Sequence, residues 1–303
     1  MSTDSHLDLV LALFWLPAVA SAEPASFRFL SGLQSGSTTF QFEKTITESG
    51  TTATVESLLE WPLGMAFAGV EVANQTWRAQ VLTNLLQSGQ MADSDWITVP
   101  EENVPRTKFS YTESDVELRA YVVELAYRHH LNSPGPLGVT DLHIGYRHEH
   151  FTFDAYGAEG WMLGESGRMY GALADGIHAL HYEVDHFLPY AGFVKGWAEA
   201  RALVFHARDV DDHLLRSKVG TADAYGLGLG FIGRWRTRLP DWNAHLGAEL
   251  EVQLLRSLSG SLHQEFYDDD PNSEANEKGM TFDSDFSTRS ETLQARVGLE
   301  FPF

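Results

Sequence analysis

The chain contains no cysteine, which excludes disulfides, thiolate metal sites and a cysteine nucleophile. Positive charge is scarce: 21 Lys and Arg stand against 42 Asp and Glu, for a formal net charge of −21. Such a surface repels phosphate backbones, so nucleic acid is not an expected partner, while cationic ligands are attracted. Beyond residue 22 no apolar run approaches the ~20 residues that a membrane-spanning helix needs. Any membrane crossing by the mature chain must therefore use strands. No G-x-S-x-G motif is present to support a serine enzyme acting on lipid, and nothing between residues 23 and 303 reads as a linker.

The first 22 residues read as a secretory signal. An apolar stretch from Leu9 to Leu16 leads to Pro17 and then to Ala20-Ser21-Ala22, a small-x-small cleavage pattern. The basic residues usual at such an N-terminus are missing, since Asp4, His6 and Asp8 precede the apolar stretch without any Lys or Arg. The expected organisation is a signal at 1–22 followed by a single domain at 23–303.

Alternation with period two dominates the mature chain. At the C-terminus Leu293, Ala295, Val297, Leu299, Phe301 and Phe303 alternate with Gln294, Arg296, Gly298, Glu300 and Pro302, giving one apolar face and one polar or small face. The same pattern is read at Val116, Leu118, Ala120, Val122 and Leu125, and around Leu142, Ile144, Tyr146, Phe151 and Phe153. It recurs in Tyr225, Leu227, Leu229 and Phe231, and from Leu246 to Leu254. Short turns at 132–136 and 239–241 alternate with longer acidic or glycine-containing connections at 89–108, 156–176 and 267–285. That asymmetry, the terminal Phe303 and the eight Trp available for interfacial girdles fit an all-β fold: a transmembrane antiparallel β-barrel of about ten strands with long extracellular loops. A periplasmic sandwich is the competing architecture. A C-terminal aromatic residue behind an export signal also implies the barrel-assembly machinery and outer-membrane lipid as partners.

Two acidic motifs stand out at places where a strand is expected to give way to a polar loop: Asp93-Ser94-Asp95-Trp96 and Asp209-Val210-Asp211-Asp212-His213. Side chains two apart in an extended chain share a face, so Asp93 pairs with Asp95 and Asp211 with His213. A carboxylate bonded to one imidazole nitrogen leaves the other free to take a proton from water. Two close carboxylates do not readily both ionise, so one retains a proton that it can donate. Taken singly, each motif also reads as solvated rim or a loose Ca²⁺ contact.

The chain resembles the omptin family of outer-membrane proteases over most of its mature length. The resemblance rests on Met91-Ala92-Asp93-Ser94-Asp95-Trp96 and Asp209-Val210-Asp211-Asp212-His213, supported in order by Ser57-Leu58-Leu59-Glu60-Trp61, Gly145-Tyr146, Leu188-Pro189-Tyr190 and Arg216-Ser217-Lys218-Val219. It implies an aspartic-type endopeptidase at the cell surface, with catalytic Asp93, Asp95, Asp211 and His213 on the extracellular side and polypeptides as substrates. It also implies a pocket for basic side chains, of which Asp209 retains one carboxylate. Phe40 stands where the family has the other, unless a gap brings in Glu43. The family's lipopolysaccharide-binding positions fall at His150 and Asp185, with His148 replacing an acidic neighbour. An aspartate cannot clamp a lipid phosphate, so lipopolysaccharide is not expected as an activator and no cofactor is required.

No catalytic metal is expected from His129-His130, from His148 with His150, or from His178 with His181, because sequence alone supplies no third ligand. Asp268-Asp269-Asp270 reads as a solvated loop, with Ca²⁺ as its alternative. The rival function is a catalytically silent barrel: an adhesin, a structural protein or a small pore.

Overall fold

The computed structural model describes residues 25–48, 51–87, 89–131, 138–164, 166–269 and 277–303. The signal segment 1–22, the turn at 132–136 and Asp270 lie outside the described residues. The described strands are β1 (Ser26–Glu48), β2 (Thr51–Pro62), β3 (Met65–Ala73), β4 (Trp77–Gln87), β5 (Gln90–Val99), β6 (Val104–His130), β7 (Asp141–Gly164), β8 (Gly167–Ala172), β9 (His178–Lys195), β10 (Ala198–His213), β11 (Lys218–Leu239), β12 (Ala244–Phe266) and β13 (Thr281–Pro302). All their pairings are antiparallel.

The ring closes between β1 and β13, from Ser26 opposite Pro302 to Glu43 opposite Asp285. Ala25 and Phe303 then exchange two backbone hydrogen bonds. Closure leaves no open edge in the ring itself, which is what a sheet in lipid requires; only the short β8 outside it is paired on one side. Two wall positions are split: β1 pairs with β2 along its upper half and with β3 along its lower half, and β6 pairs likewise with β5 and β4. Counting β2/β3 and β4/β5 once each, and leaving out the short outer strand β8, gives ten positions around the ring. The two breaks are neighbours. Pro62 of β2 lies against Gly89, and backbone bonds from Leu63 to Gly36 and from Val116 to Gly89 stitch the seam.

Side-chain direction decides between barrel and sandwich. On β13 the apolar Leu293 and Val297 are exposed, whereas Gln294 and Arg296 are buried. Tyr225, Leu227, Leu229 and Phe231 on β11, with Leu246, Leu250 and Leu254 on β12, are likewise exposed. A wall that is apolar outside and polar inside is that of a transmembrane barrel. β6 and β7 correct the simple alternation. Leu125, Leu142, Ile144 and Tyr146 face outward, but Val116, Leu118, Ala120, Val122, Phe151 and Phe153 are buried inside. The apolar set changes sides where the strands rise above the lipid belt.

The lumen consequently has layers. At mid-height, inward Arg28, Arg78, Arg147, Arg201, Arg234 and Arg296 interleave with Glu71, Glu124, Glu149, Glu199, Glu249 and Glu251. Glu124 faces Arg201 at 3.1 Å and Arg147 at 3.7 Å, pairs with Arg78, and accepts the Tyr190 hydroxyl at 2.7 Å. Gly145 makes room for that phenol, since a Cβ there would lie 2.3 Å from the Tyr190 ring. Above this network sits an apolar layer including Phe40, Leu59, Trp61, Met91, Phe153, Tyr182, Phe205 and Phe286. The barrel is filled rather than open.

Short connections at 74–76, 196–197 and 240–243 lie at one end, and equally short ones at 100–103 and 214–217 lie at the other. The expected long loops are shorter than the sequence suggested. Most of 89–108 is β5, a single 3₁₀ turn (Pro100–Glu102) and the start of β6; most of 156–176 is β7 and β8. The polar "loop" residues therefore form strands that continue beyond the lipid belt.

Two outcomes are expected from the filled lumen. Glu124→Ala removes the ion-pair partner of Arg78 and one partner each of Arg147 and Arg201, and should destabilise the barrel by about 3–5 kcal/mol, seen as a lower temperature for conversion of the folded to the unfolded gel band. Wild-type protein in a planar lipid bilayer should show no steady conductance, and a stable open channel would contradict the filled-lumen description.

Candidate active site

Asp93 and Asp95 lie within β5 rather than in a loop. Their ladder partners on β2 are Leu59 and Ser57, and on β6 Thr112 and Ser110. Leu59 is inward, so both carboxyls point into the mouth. The register shifts just after Asp95, and a bulge of this kind re-aims neighbouring side chains and ends regular pairing. Across the mouth, Asp209, Asp211 and His213 alternate along the last turn-ward residues of β10. Asp209 and Asp211 are 1% and 2% exposed. The chain then turns through a 3₁₀ segment (Leu214–Arg216) and Ser217, whose φ of 51° is left-handed, bringing Lys218 opposite His213.

Both predicted pairs form. His213 Nε2 lies 2.9 Å from Asp211 Oδ2. In the tautomer that donates this bond, Nδ1 is the free basic nitrogen. Asp95 accepts hydrogen bonds from the hydroxyls of Ser57 and Ser110, one on each oxygen. Asp93 has no such donors, and its Oδ1 is buried without a partner. Burial, then the neighbouring Asp95 and then Asp211, push the Asp93 carboxyl up to about 8. Because Asp211 contributes to that shift, the β5 and β10 carboxylates share one electrostatic environment. Asp93 is the member that holds a proton at neutral pH.

Lys218 is the residue that motif reading passed over. It was visible only as part of Arg216-Ser217-Lys218-Val219, yet it is buried and interacts electrostatically with Asp211, Asp93 and Asp95, while burial lowers its own pKa. Its charge offsets part of the carboxylate cluster.

Asp209 and Phe40 converge beneath this group through Tyr182. Phe40 stacks on Tyr182 with ring centroids 4.7 Å apart and on Phe286 at 6.1 Å. Tyr182 faces Asp211 in the β-ladder, and burial, followed by Asp209 and Asp211, raises its phenol. Asp209 is pushed well up by burial, with Asp223 and Asp185 adding to the shift and the Tyr182 hydroxyl opposing it. Neither Asp209 oxygen has a partner in ordinary hydrogen-bond geometry. Asp209 is thus closed off from solvent, with the Tyr182 hydroxyl beside it and Phe40 stacked on Tyr182. Glu43 does not substitute for Phe40: it follows inward Phe42 and is exposed on the opposite face.

On the outer wall Asp185 accepts from His148 at 2.8 Å and from His150 at 3.0 Å. His148, His150 and Asp185 thus pair with one another.

No protein-family model matches the chain, and no curated protein matches it by sequence. Among solved structures, the outer membrane protease OmpT from Escherichia coli superposes with a TM-score of 0.68 at 18% identity, covering 92% of this chain and 97% of that one. The two share a fold. The translocator domain of the autotransporter NalP from Neisseria meningitidis gives a TM-score of 0.35 at 10% identity over 98% of this chain and 96% of its own.

Asp93 supplies a stability test. Its folded-state pKa is raised, so the stability associated with the proton is complete below the ordinary carboxylate pKa near ~4 and is lost as pH rises through about 8. Asp93→Asn should flatten that decline, measured as unfolding temperature from pH 4 to pH 9; an unchanged slope would remove the shift.

Proposed function

We propose that the chain is an omptin-like outer-membrane endopeptidase whose site faces the extracellular side and hydrolyses polypeptides with an Asp/His-activated water. The observation that carries this reading is the convergence of the two acidic pairs on one mouth: Asp211, bonded to His213, is close enough to Asp93 to contribute to its raised pKa. A filled lumen below them favours a cleft enzyme over a small pore. The shared fold with OmpT supports the architecture such an enzyme needs.

In the proposed reaction, Nδ1 of His213 takes a proton from water as the oxygen attacks the scissile carbonyl. Asp211 holds the ring through Nε2 and stabilises the imidazolium. Protonated Asp93 donates to the carbonyl oxygen, while Asp95 is held by Ser57 and Ser110. Lys218 offsets the charge that the carboxylates bring together. His213 then returns its proton to the departing amine, and no acyl-enzyme forms.

Basic residues are the proposed cleavage point, because the acidic rim captures cations and Asp209 is a buried carboxyl on the same face of β10 as Asp211. With Phe40 in place of a second carboxylate, one charge-assisted contact worth ~1.5–3 kcal/mol is absent, which relaxes specificity. Since burial, with Asp223 and Asp185, raises the Asp209 pKa and a bound Arg side chain would favour its ionised form, binding should be coupled to proton release. KM for Arg-centred peptides should therefore fall as pH rises, while that for Ala-centred peptides should not.

The test is refolded protein incubated with fluorogenic peptides carrying Arg-Arg, Lys-Lys or Ala-Ala centres. His213→Ala should lower turnover by ~10²–10⁴-fold, with Asp211→Asn also severe and strand content unchanged in both. Wild-type turnover should fall as pH passes about 8, where Asp93 loses its proton. Asp209→Asn should cost Arg peptides about tenfold to a hundredfold, the equivalent of ~1.5–3 kcal/mol, and neutral peptides much less. Undiminished cleavage in both His213→Ala and Asp211→Asn would overturn the assignment, and no cleavage by wild type would leave a silent barrel.

A further inference from the structure

A second constellation lies on the outside of the wall, one residue away from the aromatic layer. Asp154 of β7 sits between inward Phe153 and Ala155, and His181 of β9 sits beside inward Tyr182. Asp154 and His181 are ladder partners, so both side chains leave the barrel at the same place. His178, at the start of β9, folds back onto them. His181 Nδ1 lies 2.6 Å from Asp154 Oδ1, and His178 Nε2 lies 3.1 Å from the same oxygen. The His178 nitrogen is nevertheless buried without a hydrogen-bond partner: it approaches the oxygen out of hydrogen-bond geometry.

We propose that Asp154, His178 and His181 form a binding site for a divalent transition-metal ion on the outer wall of the barrel, distinct from the acidic mouth. Two imidazoles and one carboxylate are the donor set that zinc and its neighbours take, with a fourth position left to water. The three ligand atoms lie within 4.8 Å of one another. Bonds of ~2.0–2.2 Å in a tetrahedron set ligands about 3.4 Å apart, so small side-chain movements suffice. The surroundings also fit. Glu183 lies 3.2 Å from His181 Nε2, the carboxylate support that metal-ligating histidines usually have. Tyr156 stacks on the His178 ring at 4.8 Å and fixes its plane. Arg119 faces the other carboxylate oxygen, Oδ2, at 3.9 Å, leaving Oδ1 to the imidazoles. Soft thiolate ligands are absent from the chain, and with two imidazoles in the set, Mg²⁺ and Ca²⁺, which favour all-oxygen shells, are disfavoured.

A bound ion would tie the start of β9 to β7. Phe153 and Tyr182 are ladder partners on the inner side of the same two strands, so the tie lies directly behind the ring that stacks on Phe40. This inference does not depend on the protease reading.

The experiment uses the full chain folded in detergent micelles, with Zn²⁺ as the probe, titrated by calorimetry and by unfolding temperature. His213→Ala is carried as the background, because an Asp-His pair in the mouth could also take zinc. One Zn²⁺ per chain is expected in that background, with a raised unfolding temperature and no such response to Mg²⁺. His178→Ala and, separately, Asp154→Asn should abolish binding while the folded gel band persists, and Glu183→Gln should weaken it about 10–100-fold. If His178→Ala fails to fold, His178→Gln keeps the ring's volume in part and removes the ligand. Absence of binding in the His213→Ala background, or binding undiminished by the His178 and Asp154 substitutions, would overturn the proposal.

Discussion

The structure depends on how the barrel disposes of charge in its lumen. Six arginines and six glutamates meet at mid-height, and several of them are almost wholly buried. Isolated charges at that depth would be prohibitively costly, and removing one partner of such a network is more damaging than never having built it. Because the signs cancel, the layer is a neutral, cross-linked filling that connects nearly every wall position. It gives the aromatic layer above it a fixed floor, which in turn allows carboxyls such as Asp93 and Asp209 to be buried away from water. The unusual protonation behaviour of the mouth is a downstream effect of that filling. The overall charge of −21 belongs to residues outside it, concentrated in strand extensions rich in Asp and Glu.

Much of this was legible from period-two alternation. The run from Leu293 to Phe303 marked a strand with one apolar side, and the motifs at Asp93 and Asp211 were correctly placed on one side of their strands. What alternation could not say is which side faces out. Leu142 and Ile144 face lipid while Phe151 and Phe153, on the same strand, face the lumen; an apolar residue satisfies either environment, and only neighbouring strands decide. The length of the strands was obscured for a related reason. Residues 89–108 look polar because the outer face of the wall is polar above the belt and β5 carries Asp93 and Asp95 on its inner face beside buried Met91 and Val99, and that mixture resembled a loop.

Partners distant in sequence were beyond reach. The hydroxyls that steady Asp95 come from Ser57 and Ser110, and neither carries a motif. Lys218 enters the acidic group because a 3₁₀ turn and a left-handed Ser217 fold β11 back beside β10. Phe40 looked like the loss of a carboxylate; in three dimensions it is also one plate of a stack on Tyr182, whose hydroxyl lies beside Asp209. The convergence of Asp154 with His178 and His181 depends on strand register, and the two histidines by themselves looked insufficient.

The seam between β2/β3 and β4/β5 divides the mouth mechanically. Asp211 and His213 ride on β10, which runs unbroken from the turn at 196–197 and is anchored below by Arg201. Asp93 and Asp95 ride on β5, a separate segment whose connection to the lower wall passes a break beside Gly89, next to the break at Leu63 and Gly64. One half of the acidic group is thus carried on a strand continuous with the lower wall, whereas the other is held at its height by its ladders to neighbouring strands, β5 through β6 on one side and through β2 to β1 on the other.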